Sequence, residues 1–169
     1  MNGSNRRIKI LELLKNKQKA VSGSELSKIL AVSRQVIVSD IALLRASGEA
    51  ILSTPKGYVI DDRENENYIY KTIACKHKKN LIEEELNLIV DEGATVVNVI
   101  VEHSVYGQIT GDLHLSSRRD IREFMKKLDK DTTPLSQLTD GIHLHTIKCK
   151  DTETLENVIN VLREGGYTL

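Results

Sequence analysis

The sequence predicts an α+β protein in two units, a small helical unit closed by a β-hairpin and then an antiparallel sheet with helices on one face. Three observations predict it. Apolar residues recur at helical spacing as far as Gly48, then at the alternation expected of strands through much of the remainder. The charge is segregated: residues 1–60 hold ten Lys or Arg against four Asp or Glu, which leaves +6 there and −6 in the rest of a chain whose formal net charge is zero. Between the two lies DDRENEN, residues 61–67, nearly devoid of apolar side chains and therefore a linker. The domains are accordingly 1–60, the linker 61–67, and 68–169. A basic first third joined to an acidic remainder points to a nucleic-acid contact confined to the first part.

Within residues 1–60 the helical period appears three times. Ile8, Leu11 and Leu14 fall on one face in RRIKILELLKNK; Leu26, Ile29 and Leu30 do so in SGSELSKIL; Val36, Ile37, Ile41 and Leu44 do so in SRQVIVSDIALLRASG. Ser22 or Ser24 can cap the second helix and Ser33 the third, their hydroxyls accepting from first-turn amides, while Gly48 ends the third. The gap AVS between the second and third admits only a tight turn, so the pair is a helix-turn-helix. Two short β-rich runs, Ile51 to Ser53 and Tyr58 to Ile60, flank TPKG and form a two-stranded wing.

This is a winged helix-turn-helix, and SRQVIVSDIALLRASGEAILSTPKGYVI resembles the module shared by biotin-operon repressors and related bacterial regulators. The resemblance implies DNA binding through the third helix. Helix geometry agrees: with Val36, Ile37, Ile41 and Leu44 turned inward, Arg34, Gln35, Val38 and Ser39 lie outward where a docked helix meets base edges. Arg34 suits guanine and Gln35 adenine, and Lys56 at the wing tip with Arg6, Arg7 and Lys9 would supply phosphate contacts.

No apolar run approaches the roughly 18 residues of a membrane span, and the opening MNGSNRRIK lacks the apolar core of a signal peptide. A cytoplasmic protein is expected. Only two cysteines, Cys75 and Cys149, are present, and in a reducing compartment they are free thiols.

Past the linker the elements follow in order: a strand in YIYKTIACKH (68–77), a helix in NLIEEELNLIVDEG with Asn80 and Glu83 at capping-box spacing, and a strand in TVVNVIVEH. A strand in QITGDLHL follows, then a helix in SSRRDIREFMKKLDK capped by Ser116 or Ser117, and a strand in GIHLHTIKC. The order β-α-β-β-α-β is the ferredoxin-like pattern. An extra C-terminal helix, 152–164, is capped by Asp151 and stopped by Gly165.

His143 and His145, one residue apart on a strand, share a face. The first and fourth strands of this pattern are antiparallel neighbours, so His77 at the end of one lies beside His143 at the start of the other, and Glu85 in the following helix can reach them. Three imidazoles and a carboxylate suit a divalent transition metal. His103, Asp112, His114 and Cys75 are rival ligands, and a thiolate would favour zinc.

CKHKKNLIEEEL, VEHSVYGQITGDLHLSSRRDIREF and LSQLTDGIHLHTI resemble the 3H domain, and with the winged helix the chain is similar to the NiaR family of niacin-responsive transcriptional repressors. The resemblance implies a regulatory domain whose metal, nickel or zinc, falls on His77, Glu85, His143 and His145. It implies repression of NAD biosynthesis or niacin uptake genes through operator DNA, with nicotinic acid as co-repressor. A metal-dependent hydrolase with His103 or Asp112 as proton carrier, and a metal-free sensor, are the alternatives; no HExxH helix or phosphate-binding Gly-rich loop supports the enzyme. A homodimer is expected through the second domain, because Ile142, Leu144 and Thr146 face away from the histidines and one helical layer covers one side of a sheet.

Overall fold

The computed structural model describes residues 1–17, 19–128 and 132–169. The chain divides into two compact units, Met1–Glu64 and Asn65–Leu169.

In the first unit, α1 (Gly3–Asn16), α2 (Gly23–Leu30) and α3 (Arg34–Ala46) are each opened by a side-chain cap, from Asn2, Ser22 and Ser33. Each cap oxygen accepts an amide hydrogen that the first helical turn leaves without a partner. The α2–α3 turn closes through a left-handed Ala31 and the Val32 amide bonded back to Ser27 O at 3.2 Å. The wing is β1 (Ile51–Thr54) paired antiparallel with β2 (Gly57–Ile60). Tyr58 exchanges both backbone hydrogen bonds with Val21, which fixes the wing to the segment between α1 and α2. A Cβ on Gly57 would lie 2.5 Å from Val21 O, so this approach requires glycine.

The apolar core of this unit is formed by Ile10, Leu14, Val21, Leu26, Leu30, Ile37, Ile41, Leu44 and Ile51. Two expected core positions are corrected. Ile8 and Ile29 are about half exposed, and Ile10 takes the place assigned to Ile8. The sequence IKILELL, residues 8–14, offers overlapping apolar stripes, and the partner surfaces select one rotation of α1. That rotation also carries Arg6 and Arg7 toward Asp40 of α3, a carboxylate that the apolar spacing did not mark as buried.

The second unit contains β3 (Ile69–Lys76), α4 (Ile82–Asp91), β4 (Thr95–His103), β5 (Gly107–Leu115), α5 (Arg118–Leu128), β6 (Ile142–Cys149) and α6 (Thr152–Glu164). The β-α-β-β-α-β order and the extra terminal helix are as the sequence predicts. The sheet order is β3-β6-β4-β5 with every neighbour antiparallel, so β6 splits the β3–β4 pair and β4 splits the β5–β6 pair. Asp129 and Lys130, expected in the last turn of α5, lie outside the described residues. At the start of α5 the Asp120 amide donates to Ser117 Oγ while the Asp120 carboxylate accepts from Ser116 N, and Asp151 caps α6.

The expected capping box of Asn80 and Glu83 is not formed. A 3-10 turn, Lys79–Leu81, leads into α4, whose cap residue Leu81 has no side-chain acceptor. Leu86, Ile89, Leu115, Ile121, Ile147, Val158 and Leu162 are among the residues that bring the sheet and helices into one core. Tyr167–Leu169 then runs along the free edge of β3, with bonds from Lys76 N to Tyr167 O and from Leu169 N to Ala74 O, covering an otherwise open strand edge. No described helix is long and apolar enough to cross a membrane.

Candidate metal centre and nucleic-acid interface

Strand alternation places His143, His145, Ile147 and Cys149 of β6 on the buried face, and Ile73 and Cys75 of β3 on the same face. The register sets Cys75 opposite His143 and Ile73 opposite His145, and His77 follows just beyond β3. On α4 the buried stripe is Ile82, Glu85, Leu86, Ile89 and Val90, so a carboxylate occupies a position whose spacing calls for an apolar side chain. Placed in the first turn of α4, it also faces the positive end of the helix dipole.

The three imidazoles converge on this carboxylate. His77 Nε2 is 2.5 Å from Glu85 Oε2, His143 Nε2 is 3.2 Å from Oε1, and His145 Nε2 is 3.4 Å from Oε2. Each ring is turned by its other nitrogen. Nδ1 of His77 lies 2.8 Å from Lys78 O, that of His143 2.8 Å from Gly141 O, and that of His145 2.8 Å from Asn98 O. A carbonyl can only accept, so each Nδ1 carries a hydrogen and each neutral ring presents a lone pair at Nε2. Lone pairs facing a carboxylate repel unless a proton or a cation lies among them. The donor set therefore fits a divalent metal, with backbone acceptors orienting the ligands as metal-bound histidines require.

The protonation tendencies reflect the same conflict. Burial disfavours the charge on Glu85, but the charge that His145 carries once protonated, and the hydrogen bonds that His143, His145 and His77 donate when Nε2 also holds a proton, outweigh it and hold the carboxyl well below the usual range. Burial works to lower His77 and His145, yet Glu85 raises both. Burial, reinforced by Glu85, pushes the Cys75 thiol up. Cys75, Glu85 and His143 offer ligand atoms within 4.8 Å of one another.

Gly141 shapes the site. Asp140 and Gly141 are both left-handed, at φ 52° and 85°, and the Gly141 carbonyl accepts from His77 N at 3.4 Å as well as from His143. A Cβ at residue 141 would lie 2.3 Å from His77 O.

A cavity of about 250 Å³ opens on the same group, lined by Glu85, His143 and His145 together with Val99, Gly111, Leu113, Phe124, Pro134 and Leu135 among others. Among the described residues, the lining contains no lysine or arginine. Sequence reasoning missed most of this wall. Its upper part follows α5 and the 3-10 turn Leu135–Thr139, where no periodic pattern announces a pocket.

His103, Asp112 and His114, expected as rival ligands, are not brought to this group. His103 Nδ1 accepts from the Val105 and Tyr106 amides and so closes the β4–β5 turn. Asp112 pairs with Asn98 across the β4–β5 ladder and the left-handed His114, at φ 51°, falls in the bulge before the Val96–Leu115 pair, and neither lines the cavity beside Glu85.

In the first unit, Arg34, Gln35, Val38 and Ser39 are all exposed on α3, and Arg45 ties that helix to the wing through Ile51 O and Ser53. Lys56 lies in the wing turn, and Lys9 pairs with Glu12 on the exposed side of α1. Arg6, one of the expected phosphate contacts, is engaged inside the unit. Its guanidinium binds both oxygens of Asp40, at 2.5 and 3.3 Å, and Arg7 approaches the same carboxylate at 3.4 Å.

A winged helix with a free recognition face, carried on one chain with a histidine–carboxylate domain, defines a DNA-binding regulator. Residues 6–59 match an HTH domain family and residues 70–169 match the 3H domain family. The chain is 42% identical over 170 residues to the transcription repressor NadR of Bacillus subtilis (strain 168), covering 99% of this chain and 94% of that protein. It is 40% identical over 161 residues to the probable transcription repressor NiaR of Thermotoga maritima, covering 95% and 91%. The chain belongs to this HTH–3H family of transcription repressors, and is a regulator rather than an enzyme.

Proposed function

We propose that the protein represses genes of NAD biosynthesis or niacin uptake, binding operator DNA when nicotinic acid occupies a metal-containing second unit. The observation that carries this reading is the cluster of three Nε2 lone pairs around Glu85 at the mouth of an apolar cavity. His77, Glu85, His143 and His145 would hold the metal, nickel or zinc by donor type. When bound, it supplies a positive charge beside the described lining residues, none of which is a lysine or arginine.

Nicotinic acid is a flat ring with one carboxylate. Val99, Leu113, Phe124 and Leu135 suit the ring, and a volume of about 250 Å³ suits a single-ring ligand. A nucleotide would bring phosphates for which the described lining residues offer no lysine or arginine. Arg34 and Gln35 read base edges, aided by Val38 and Ser39, while Lys56, Lys9 and the remaining donors of Arg7 contact phosphates.

One winged helix covers a short site, so a homodimer reading a roughly palindromic operator is the expected form. The sheet face opposite the histidines offers the surface, with Ile142 40% exposed and Leu144 and Ile100 beside it. A repressor acts where the DNA is, in the cytoplasm. Linkage requires that operator DNA tighten nicotinic acid binding by the factor with which nicotinic acid tightens DNA binding.

The test is operator binding with nicotinic acid, nicotinamide and a nucleotide derivative, before and after chelation. Nicotinic acid should tighten DNA binding only in the metal-loaded protein. Release from DNA by nicotinic acid would overturn the repressor sign, and unchanged ligand affinity after chelation would replace the metal reading with direct binding by the histidines.

A further inference from the structure

We propose that Cys75 is a sulfur donor of the metal centre, beside the imidazoles and Glu85. The inference rests on the metal reading above and extends it to a residue outside the four ligands assigned there. Three observations carry it. The β3–β6 register places Cys75 directly opposite His143 on the buried face. The thiol is fully buried, at 0% exposure, beside a carboxylate. Its sulfur, a Glu85 oxygen and a His143 nitrogen lie within 4.8 Å of one another.

Metal–sulfur bonds of about 2.3 Å and metal–nitrogen or metal–oxygen bonds of about 2.0–2.2 Å set neighbouring donors of one ion roughly 3–3.6 Å apart. A spacing of up to 4.8 Å closes to that with side-chain rotations that move the donors by about 1 Å. On binding, the S–H bond breaks, the proton leaves to solvent, and a sulfur lone pair forms the bond to the cation, with no change of oxidation state. A soft donor beside imidazoles selects zinc, nickel or cobalt against magnesium and manganese.

Cys149 provides the contrast. It is also buried and faces the same core, but it pairs with Ile69 at the far end of β6, about 20 Å along the strand from His143. The chain has no other cysteine, so any thiolate signal belongs to one of these two.

The experiment loads the full-length protein with cobalt(II), measures its stoichiometry by dialysis, and records the near-ultraviolet thiolate-to-cobalt charge-transfer absorption per bound ion. The expected result is one cobalt per chain with a band that survives in Cys149→Ser and disappears in Cys75→Ser, whose cobalt affinity falls by roughly tenfold or more. One cobalt per chain without a thiolate band in the unaltered protein overturns the role of Cys75 and leaves the four-ligand centre standing. No stoichiometric cobalt overturns both. The unaltered protein decides the matter even if Cys75→Ser does not fold.

Discussion

Replacing Gly141 by alanine should damage the metal centre and the second unit together, by an amount that a second glycine calibrates. At φ 85° an L-residue pays left-handed strain of about 1–2 kcal/mol. A new Cβ 2.3 Å from His77 O must also push that backbone away by roughly 1 Å, an overpacking cost of about 1–3 kcal/mol. The total is about 2–5 kcal/mol. Gly93 has a similar φ of 89° with nothing within 4 Å of its Cβ position, so Gly93→Ala carries the strain without the clash.

Urea unfolding of both variants, followed on the second unit, should show Gly141→Ala losing about 1–3 kcal/mol more than Gly93→Ala. Moving His77 and the Gly141 carbonyl also disorients two of the imidazoles, so cobalt affinity should fall about 10–100-fold in Gly141→Ala and little in Gly93→Ala. Equal destabilisation by the two variants, or unchanged metal affinity in Gly141→Ala, would refute the argument that this turn positions the ligands.

Arg34→Ala should weaken operator binding by about 1–3 kcal/mol and relax preference at one base position, whereas Lys56→Ala should weaken all sequences alike and lower the salt slope by about one; titrations at several salt concentrations separate them. Gly111→Val projects a side chain toward Leu135 and Val99 across the cavity, so calorimetry should show nicotinic acid binding lost while metal stoichiometry stays at its original value. Chelated protein should have a stability optimum in pH. The raised His77 and His145 contribute fully below their ordinary value of 6.5 and lose that contribution as pH rises through their folded values; the depressed Glu85 contributes above its ordinary 4.5 and loses it as pH falls through its folded value. Urea midpoints should therefore be highest between about pH 4.5 and 6.5 and fall on the alkaline side, and a midpoint that stays flat up to pH 9 would contradict the imidazole–carboxylate coupling.

Local rules read directly from the sequence determined a large part of this protein. Period two alone put His143 and His145 on one face, because alternation is a property of any strand. Ser22, Ser33 and Asp151 stood where helices begin because an oxygen on a short side chain must satisfy the first free amides. The β-α-β-β-α-β order and the adjacency of the first and last strands then brought His77 to His143 without a coordinate.

What the sequence left open depends on surfaces that meet only in the folded chain. IKILELL allows more than one buried stripe, and packing chose Ile10 over Ile8. Asn80 and Glu83 have capping spacing, but the chain leaving β3 enters α4 through a 3-10 turn instead. Asp40 and Arg6 are 34 residues apart, and their pairing follows from how α1 lies on α3. The carbonyls of Lys78, Gly141 and Asn98 turn three imidazoles toward Glu85, and backbone acceptors have no letter in a sequence. Residue types and periods name the ligands, whereas their tautomers, their convergence and the cavity beside them exist only once distant backbone is packed around them.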